Sequence, residues 1–195
     1  MTSSIHVWIR SEYVTIFIPP FPFSLGGTVL TPRMLKEGEK PPLSWYASEN
    51  KSGWTLLEYL DISESDISKY QNVTGAYAVL MVGDKYVVGY NTWRKQWEFP
   101  AGGIEEGETA RQAAIRELYE ETHQKNVELD FKGLFKVEDT KGNIKYQVIF
   151  VGRENELSPF NHEENDEMEK IYLWDMKEDI GYVDECDKKI AEMVC

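Results

Sequence analysis

The stretch Gly102-Gly103-Ile104-Glu105-Glu106-Gly107-Glu108 leads into Thr109 and the run Ala110–Thr122, which ends in Arg116-Glu117-Leu118-Tyr119-Glu120-Glu121-Thr122. Thr109 has the side chain of a helix N-cap, and Gln112 stands three residues on, which makes a capping box. The run lacks glycine and proline and is rich in good helix formers. At about 100° per residue, Glu117, Glu120 and Glu121 are neighbours on one face. Ala114, Ile115 and Leu118 fall on the adjoining face, which is expected to meet a sheet. Like charges at this spacing cost roughly 0.2–0.5 kcal/mol per pair on an exposed helix, and more where water is excluded. Arg116 offsets one charge only. A hard divalent cation with oxygen ligands suits the rest, and magnesium characteristically lets substrate phosphates complete its octahedron. The glycine loop lets backbone approach such a cation or phosphate closely. The residues themselves therefore point to magnesium-dependent chemistry on a phosphate ester or diphosphate.

The flanks of this stretch read as strands. Pro100 biases Trp97-Glu98-Phe99 toward extended backbone. Ala76–Val82 and Tyr86–Tyr90, joined by Gly83-Asp84-Lys85, read as a hairpin. Val127–Phe131, Leu134–Val137, Ile144–Val151 and Ile171–Trp174 are further strands, with a turn at Gly142-Asn143. Asp184 is placed to cap a final helix carrying Ile190, Met193 and Val194. Strands on both sides of a central helix, with a second helix at the end, predict an α/β (α+β) fold, a mixed sandwich of strands and helices.

Residues 1–70 have a different texture. Ile5–Ile9 and Tyr13–Ile18 are strand-like, and Pro19, Pro20 and Pro22 then break any ladder. Trp54–Leu60 is expected to be a short helix, with Leu56, Leu57 and Leu60 on one side, and Ser63–Ser68 a linker. This predicts a β-rich N-terminal extension over 1–70, acting as a packing layer, a lid or a dimerisation element, and a main domain over 71–195.

With 21 Lys+Arg against 34 Asp+Glu, the net charge is −13, the wrong sign for non-specific nucleic-acid binding or attraction to anionic membranes. Two cysteines in 195 residues argue against a disulfide framework and suit a reducing, cytoplasmic setting. No apolar run approaches the ~20 residues of a membrane span.

The central segment resembles the signature of the Nudix hydrolases, the family of MutT-like nucleotide diphosphatases. That signature is Gly, five residues, Glu, seven residues, then Arg-Glu-aliphatic-any-Glu-Glu-any-Gly-aliphatic. Here Gly102, Glu108 and Arg116-Glu117-Leu118-Tyr119-Glu120-Glu121 fall at those positions. Two residues depart from it: His123 stands in place of the glycine, and Gln124 in place of the aliphatic residue. The resemblance extends over about residues 72–180. It implies the Nudix fold, a mixed β-sheet sandwiched between helices, and hydrolysis of a nucleoside diphosphate linked to another moiety, with Mg2+ or Mn2+. It implies Glu117, Glu120 and Glu121 as metal ligands, one of them a base for the attacking water, with the carbonyl of Ala101 or Gly102 as a further ligand. Arg116 and Glu108 would brace the loop against the helix.

Many members of the family draw a further acidic residue from a distant loop. Phe160–Glu167 is such a loop, with Glu164 and Glu167 as candidates, Glu163 behind them, and Glu138 and Asp139 as second choices. The expected catalytic set is Arg116, Glu117, Glu120, Glu121 and Glu164. Arg94 is expected to meet a substrate phosphate, Trp97 and Phe160 (with Trp93) to stack on a base, and His162 to serve as acid or base. A nucleoside triphosphate, oxidised forms such as 8-oxo-dGTP included, is the favoured substrate. ADP-ribose or another nucleotide sugar is the alternative, and a non-catalytic nucleotide-binding regulator a third reading. The expected partners are a small nucleotide and, through the extension, a second copy of the chain.

Overall fold

In the computed structural model, residues 3–9, 12–18, 48–164 and 166–194 are described. The chain divides into two units, Met1–Tyr46 and Ala47–Cys195. In the first, strands β1 (Ser3–Ile9) and β2 (Glu12–Ile18) pair antiparallel, with Ile5 opposite Ile16 and Val7 opposite Val14. Both strands expected here are present. The expectations for Pro19 through Pro42 lie outside the described residues.

The second unit is built on a nine-stranded sheet. Its strands are β3 (Ser48–Glu49), β4 (Thr55–Leu60), β5 (Val73–Val82), β6 (Lys85–Asn91), β7 (Gln96–Glu98), β8 (Ala101–Gly103), β9 (Leu129–Glu138), β10 (Ile144–Glu154) and β11 (Met168–Trp174). The main path runs β11-β6-β5-β10-β9-β4-β3, while β7 pairs with β6 and β8 with β5. The β5–β10 pairing is parallel and the others are antiparallel, so the sheet is mixed, as expected.

Helix α1 (Ala110–Thr122) crosses one face of this sheet, and helix α2 (Glu185–Val194) follows the last strand. Alternation along β5 sends Ala76, Ala78 and Leu80 toward α1, where they pack with Ala113, Ala114, Leu118, Val148 and Phe150. The intervening residues point to the opposite face, where Tyr86 donates from its hydroxyl to the Ala191 carbonyl of α2 at 2.9 Å. Ile115 is not part of the sheet-facing stripe, being 47% exposed.

Trp54–Leu60 forms a strand and not the expected helix. β4 pairs on one side with β3 and on the other with β9, Leu56 opposite Val137 and Leu60 opposite Leu134. Those partners supply long-range hydrogen bonds and seat Leu56 in the core, and tertiary pairing of this kind overrides a marginal local helix signal. The expected linker begins a 3-10 turn over Glu64–Lys69. The division expected at residue 70 therefore falls inside the second unit, since β3, β4 and this turn belong to its sheet and core. The two strands expected over 127–137 are one strand with a register shift opposite Ile149/Phe150, where Gly133 has φ +148°. A Cβ on Gly133 would meet the Leu60 carbonyl at 2.6 Å.

Candidate active site

The site is assembled from β8, the loop after it, and α1. Helix α1 starts as expected: the Thr109 side chain accepts from the Gln112 N–H, and the Gln112 side chain accepts from the Thr109 N–H at 2.9 Å. β8 lies against β5, Gly102 opposite Ala76 and Gly103 opposite Gly75. The Glu117 carboxylate lies directly over Gly102, where a Cβ would overlap it and displace the carboxylate. The backbone of β8 and the first acidic side chain of the helix are thereby held in direct apposition.

Arg116 organises the acidic groups. Its Nε and Nη2 donate to the two oxygens of Glu108, each at 3.0 Å, a bidentate pair. Nη2 also donates to the Gly103 carbonyl at 2.9 Å, and Nη1 to Glu117 at 2.6 Å and Glu120 at 3.1 Å. One guanidinium thus ties loop to helix, the bracing expected of it. Glu108 further accepts the Glu105 N–H at 3.0 Å, and Arg116 with that bond holds its carboxyl below the usual range. Glu121 accepts the Ala101 N–H at 3.1 Å and is only 6% exposed.

Burial pushes the Glu121 carboxyl well up, and the facing charges of Glu167, Glu117 and Glu98 add to the rise against the Ala101 N–H. Burial likewise raises Glu117, opposed by Arg116 and reinforced by Glu120 and Glu167. Glu120 is the exposed member of the set. Among the described residues, no three Asp, Glu, His or Cys side chains converge into a ready-made metal cage. The donor chemistry nonetheless suits a hard cation: oxygen ligands only, crowded together, two with their ionised forms disfavoured by burial and by one another.

The distal acid brought to this group is Glu167, and not Glu164. Asn91 Nδ2 donates to Glu167 Oε1 at 2.6 Å, Arg94 Nη1 lies 3.4 Å from the same oxygen, and the Thr92 N–H donates to the Glu167 carbonyl at 3.1 Å. Glu164 is exposed and sits in the preceding turn. Glu138 ends β9, paired with Ile144 and Thr55, and Asp139 opens the β9–β10 turn, where it accepts the N–H groups of Lys141 and Asn143 at 2.9 Å each.

The stacking candidates separate. Trp97 is 7% exposed, packs against Tyr90 and Tyr172, and donates from its indole to the Ile180 carbonyl at 2.6 Å. It is a core residue with no face to offer a base. Phe160 packs on His123 with centroids 4.9 Å apart, and Trp93 is 70% exposed. His162 sits with Nδ1 3.1 Å from the Met168 carbonyl. Arg94 borders a cavity but is paired with Glu98 at 2.6 Å.

The two departures from the signature act together. His123 ends α1 at φ +59°, the left-handed position, and its ring lies between Tyr119 and Phe160. Gln124 is buried; its Nε2 donates to the Ser158 carbonyl at 2.9 Å and its Oε1 accepts the Ser158 N–H at 2.8 Å. Both residues fasten the loop that precedes Glu167.

A cavity of about 460 Å³ adjoins β8 on the α2 face of the sheet. Trp54, Tyr77, Phe135, Gln147 and Asp187 line it, and Ala101, Gly102 and Gly103 form one border. Its size falls within the range of small-molecule sites. Sequence reading missed its polar wall of Gln96, Glu98 and Asp184; the available signal was Glu98, an acidic residue between Trp97 and Phe99 in an otherwise apolar strand.

A family model described as the NUDIX domain matches residues 71–191, and the chain belongs to that family. The RNA pyrophosphohydrolase of Bartonella bacilliformis is 45% identical over 51 residues, 25% of this chain and 30% of that protein. The RNA pyrophosphohydrolase of Brucella anthropi is 61% identical over 33 residues, 17% of this chain and 19% of that protein. The matched stretches thus span less than a third of these curated relatives. Among solved structures, a pyrophosphohydrolase of Bacillus subtilis superposes with a TM-score of 0.52 at 19% identity, covering 67% of this chain and 77% of that one. A bifunctional NMN adenylyltransferase/ADP ribose pyrophosphatase of Francisella tularensis gives 0.53 at 20% identity, covering 64% and 40%. These superpositions establish the Nudix fold. Among the described residues no helix is long and apolar enough to cross a membrane.

Proposed function

We propose that this chain is a divalent-cation-dependent, cytoplasmic pyrophosphohydrolase that cleaves a phosphoanhydride bond of a nucleoside triphosphate. The observation that carries this reading is the shared border at Gly102. The acidic cluster of α1 lies against its backbone, and the cavity opens beside it. A nucleoside held in the cavity would lay its phosphates along β8 toward the carboxylates.

Glu117, Glu120 and Glu121, with the carbonyl of Ala101 or Gly102, would hold Mg2+ or Mn2+. When bound, such a cation neutralises charge on the diphosphate oxygens and makes water a stronger nucleophile. Arg116 keeps Glu117 and Glu120 in place and fixes the loop through Glu108. Glu167 would accept the proton of the water that attacks phosphorus; the new P–O bond forms as the anhydride P–O bond breaks, and pyrophosphate leaves. Positioning and preorganised charge supply most of the rate in such chemistry.

The names of the curated relatives favour a second substrate of the same chemistry, a 5′-triphosphate on RNA. The net charge of −13 restricts such a site to the end of the strand, since an acidic surface does not track a phosphate backbone. Product analysis with Mg2+ on dGTP, 8-oxo-dGTP, 5′-triphosphorylated RNA and ADP-ribose tests the reading. Pyrophosphate release from a triphosphate is expected. Turnover of ADP-ribose alone, to AMP and a sugar phosphate, would transfer the assignment to nucleotide sugars, and nucleotide binding without turnover would leave a regulator.

A further inference from the structure

Four buried polar side chains form one continuous hydrogen-bonded chain behind the site. Asn91, Gln96, Glu98 and Asp184 are each 6% exposed or less. Asp184, at the start of α2, accepts from Gln96 Nε2 at 3.0 Å, and the same Nε2 donates to Glu98 Oε2 at 2.8 Å. Glu98 Oε1 accepts from Asn91 Nδ2 at 2.5 Å, and that nitrogen also donates to Glu167 Oε1 at 2.6 Å. The chain starts in the wall of the cavity, which Gln96, Glu98 and Asp184 line, and ends on the distal carboxylate.

Each link has a fixed direction. An amide nitrogen has two hydrogens, and Asn91 spends one on each carboxylate. Its Oδ1 is held in turn by the N–H groups of Trp93 and Arg94, both at 3.0 Å, so the amide has no freedom to flip. The β6–β11 register fixes the same geometry from the backbone, because Met168, directly after Glu167, pairs with Asn91.

We propose that Asn91 is a positioning residue that aims the Glu167 carboxylate at the α1 acids, as the last link of a hydrogen-bonded chain that runs through Gln96 and Glu98 from the cavity wall. Asn91 touches neither substrate nor reacting atoms in this scheme. It acts through Glu167, and with Arg94, whose Nη1 lies 2.6 Å from Glu98 Oε1 and 3.4 Å from Glu167 Oε1, it bridges the two carboxylates. The inference rests on the hydrolase reading above, with Glu167 as proton acceptor.

The experiment is a double-mutant cycle on kcat, using Mg2+ with dGTP and with 5′-triphosphorylated RNA as probes. Asn91→Leu removes both donors at similar volume. It is expected to lower kcat at least tenfold with KM within about threefold of the wild type, and to have little further effect in a Glu167→Gln background. Because Asn91 is fully buried, a second variant separates folding from aim. In N91D/E98Q donor and acceptor change places. The amide introduced at position 98 would donate to the carboxylate introduced at position 91 and restore the internal bond, while nothing at position 91 donates to Glu167. Because the carboxylate at position 91 then faces Glu167, folding is read in the Glu167→Gln background, where the pair is expected to melt near E167Q alone; with Glu167 present it is expected to keep the loss in kcat, and it carries the test if N91L fails to fold. Losses of N91L and E167Q that multiply independently, or a swap that restores kcat along with the melting temperature, would overturn the inference. A wild type inactive on both probes would overturn the triphosphatase reading and this one with it, whereas an active wild type with independent losses overturns this one alone.

Discussion

Gln124 and Ser158 are joined by two hydrogen bonds, the Gln124 amide donating to the Ser158 carbonyl at 2.9 Å and accepting its N–H at 2.8 Å. A side chain here does what a neighbouring strand would do. It closes the ladder of a loop segment from the end of α1, at a position where the family signature has an aliphatic residue. With His123 packed on Phe160, it replaces the family's glycine-aliphatic helix end by a clamp on the loop leading to Glu167.

Gln124→Leu restores the aliphatic residue and breaks the clamp. It removes both hydrogen bonds to Ser158, an exposed residue whose N–H and carbonyl water can then pair, so the cost is about 1 kcal/mol for each net hydrogen bond lost. The expected outcome is faster amide hydrogen exchange across residues 155–166, with α1 unchanged, and a several-fold lower kcat. Hydrogen-exchange mass spectrometry checks it: unaltered exchange in that loop would show that Gln124 does not hold it.

The parts of this arrangement that could be read in the sequence were the local ones. The start of α1 was legible because Thr109 and Gln112 signal it within four residues, and the acidic face followed from helical spacing alone. β4 was not, because its partner β9 lies far along the chain, and nothing within Trp54–Leu60 announces it. The choice between Glu164 and Glu167 was open for a related reason. Both belong to one acidic run, and only the register of Met168 against Asn91 brings the second of them to the site. Trp97 is instructive in the same way: an aromatic in a strand can face a ligand or the core, and the β6 and β11 neighbours that enclose it are invisible in its own segment.

The α1 acids divide by burial, and their substitutions should divide accordingly. Glu120→Gln changes an exposed carboxylate, so the melting temperature should move by less than about 2 °C in the absence of metal, surface changes lying within roughly 0.5 kcal/mol. Glu121→Gln removes a buried carboxyl crowded by Glu167 and Glu117, and should leave the metal-free protein at least as stable as the wild type. Both should lower Mg2+-dependent turnover by about 10²-fold or more, the scale of losing a group that stabilises transition-state charge. Thermal melts in EDTA, paired with initial rates, check this; full turnover in both variants would remove these residues from the site.

Arg116 has a different signature because four acceptors depend on it. Arg116→Ala would leave Glu108, Glu117, Glu120 and the Gly103 carbonyl without their common donor. A loss of about 2 kcal/mol is expected, the range for hydrogen bonds to charged groups, together with loss of turnover. Arg116→Lys keeps the charge but not the planar fork, and should recover part of the stability and little of the activity. Urea denaturation of the three proteins checks the order, and a lysine variant as active as the wild type would show that the bidentate Glu108 contact is dispensable.

Asp187 makes stability depend on pH. Its Oδ2 accepts the Phe99 N–H at 2.5 Å, and burial raises its carboxyl well above the ordinary 3.8, reinforced by the charges of Asp184 and Glu98 against Arg94. The nearby Cys186 thiol is likewise pushed up, to about 12, chiefly by burial. A carboxyl whose pKa is higher folded than unfolded binds more protons in the native state. Its contribution to stability is fully present below the unfolded value and is lost as pH rises toward the folded one. Asp187→Asn mimics the neutral acid and keeps an acceptor for the Phe99 N–H. The variant should therefore match the wild type near pH 4 and exceed it increasingly from pH 5 to 8. Denaturant midpoints across that range check the sign, and a variant that loses stability relative to the wild type as pH rises would mean that Asp187 is folded as a carboxylate.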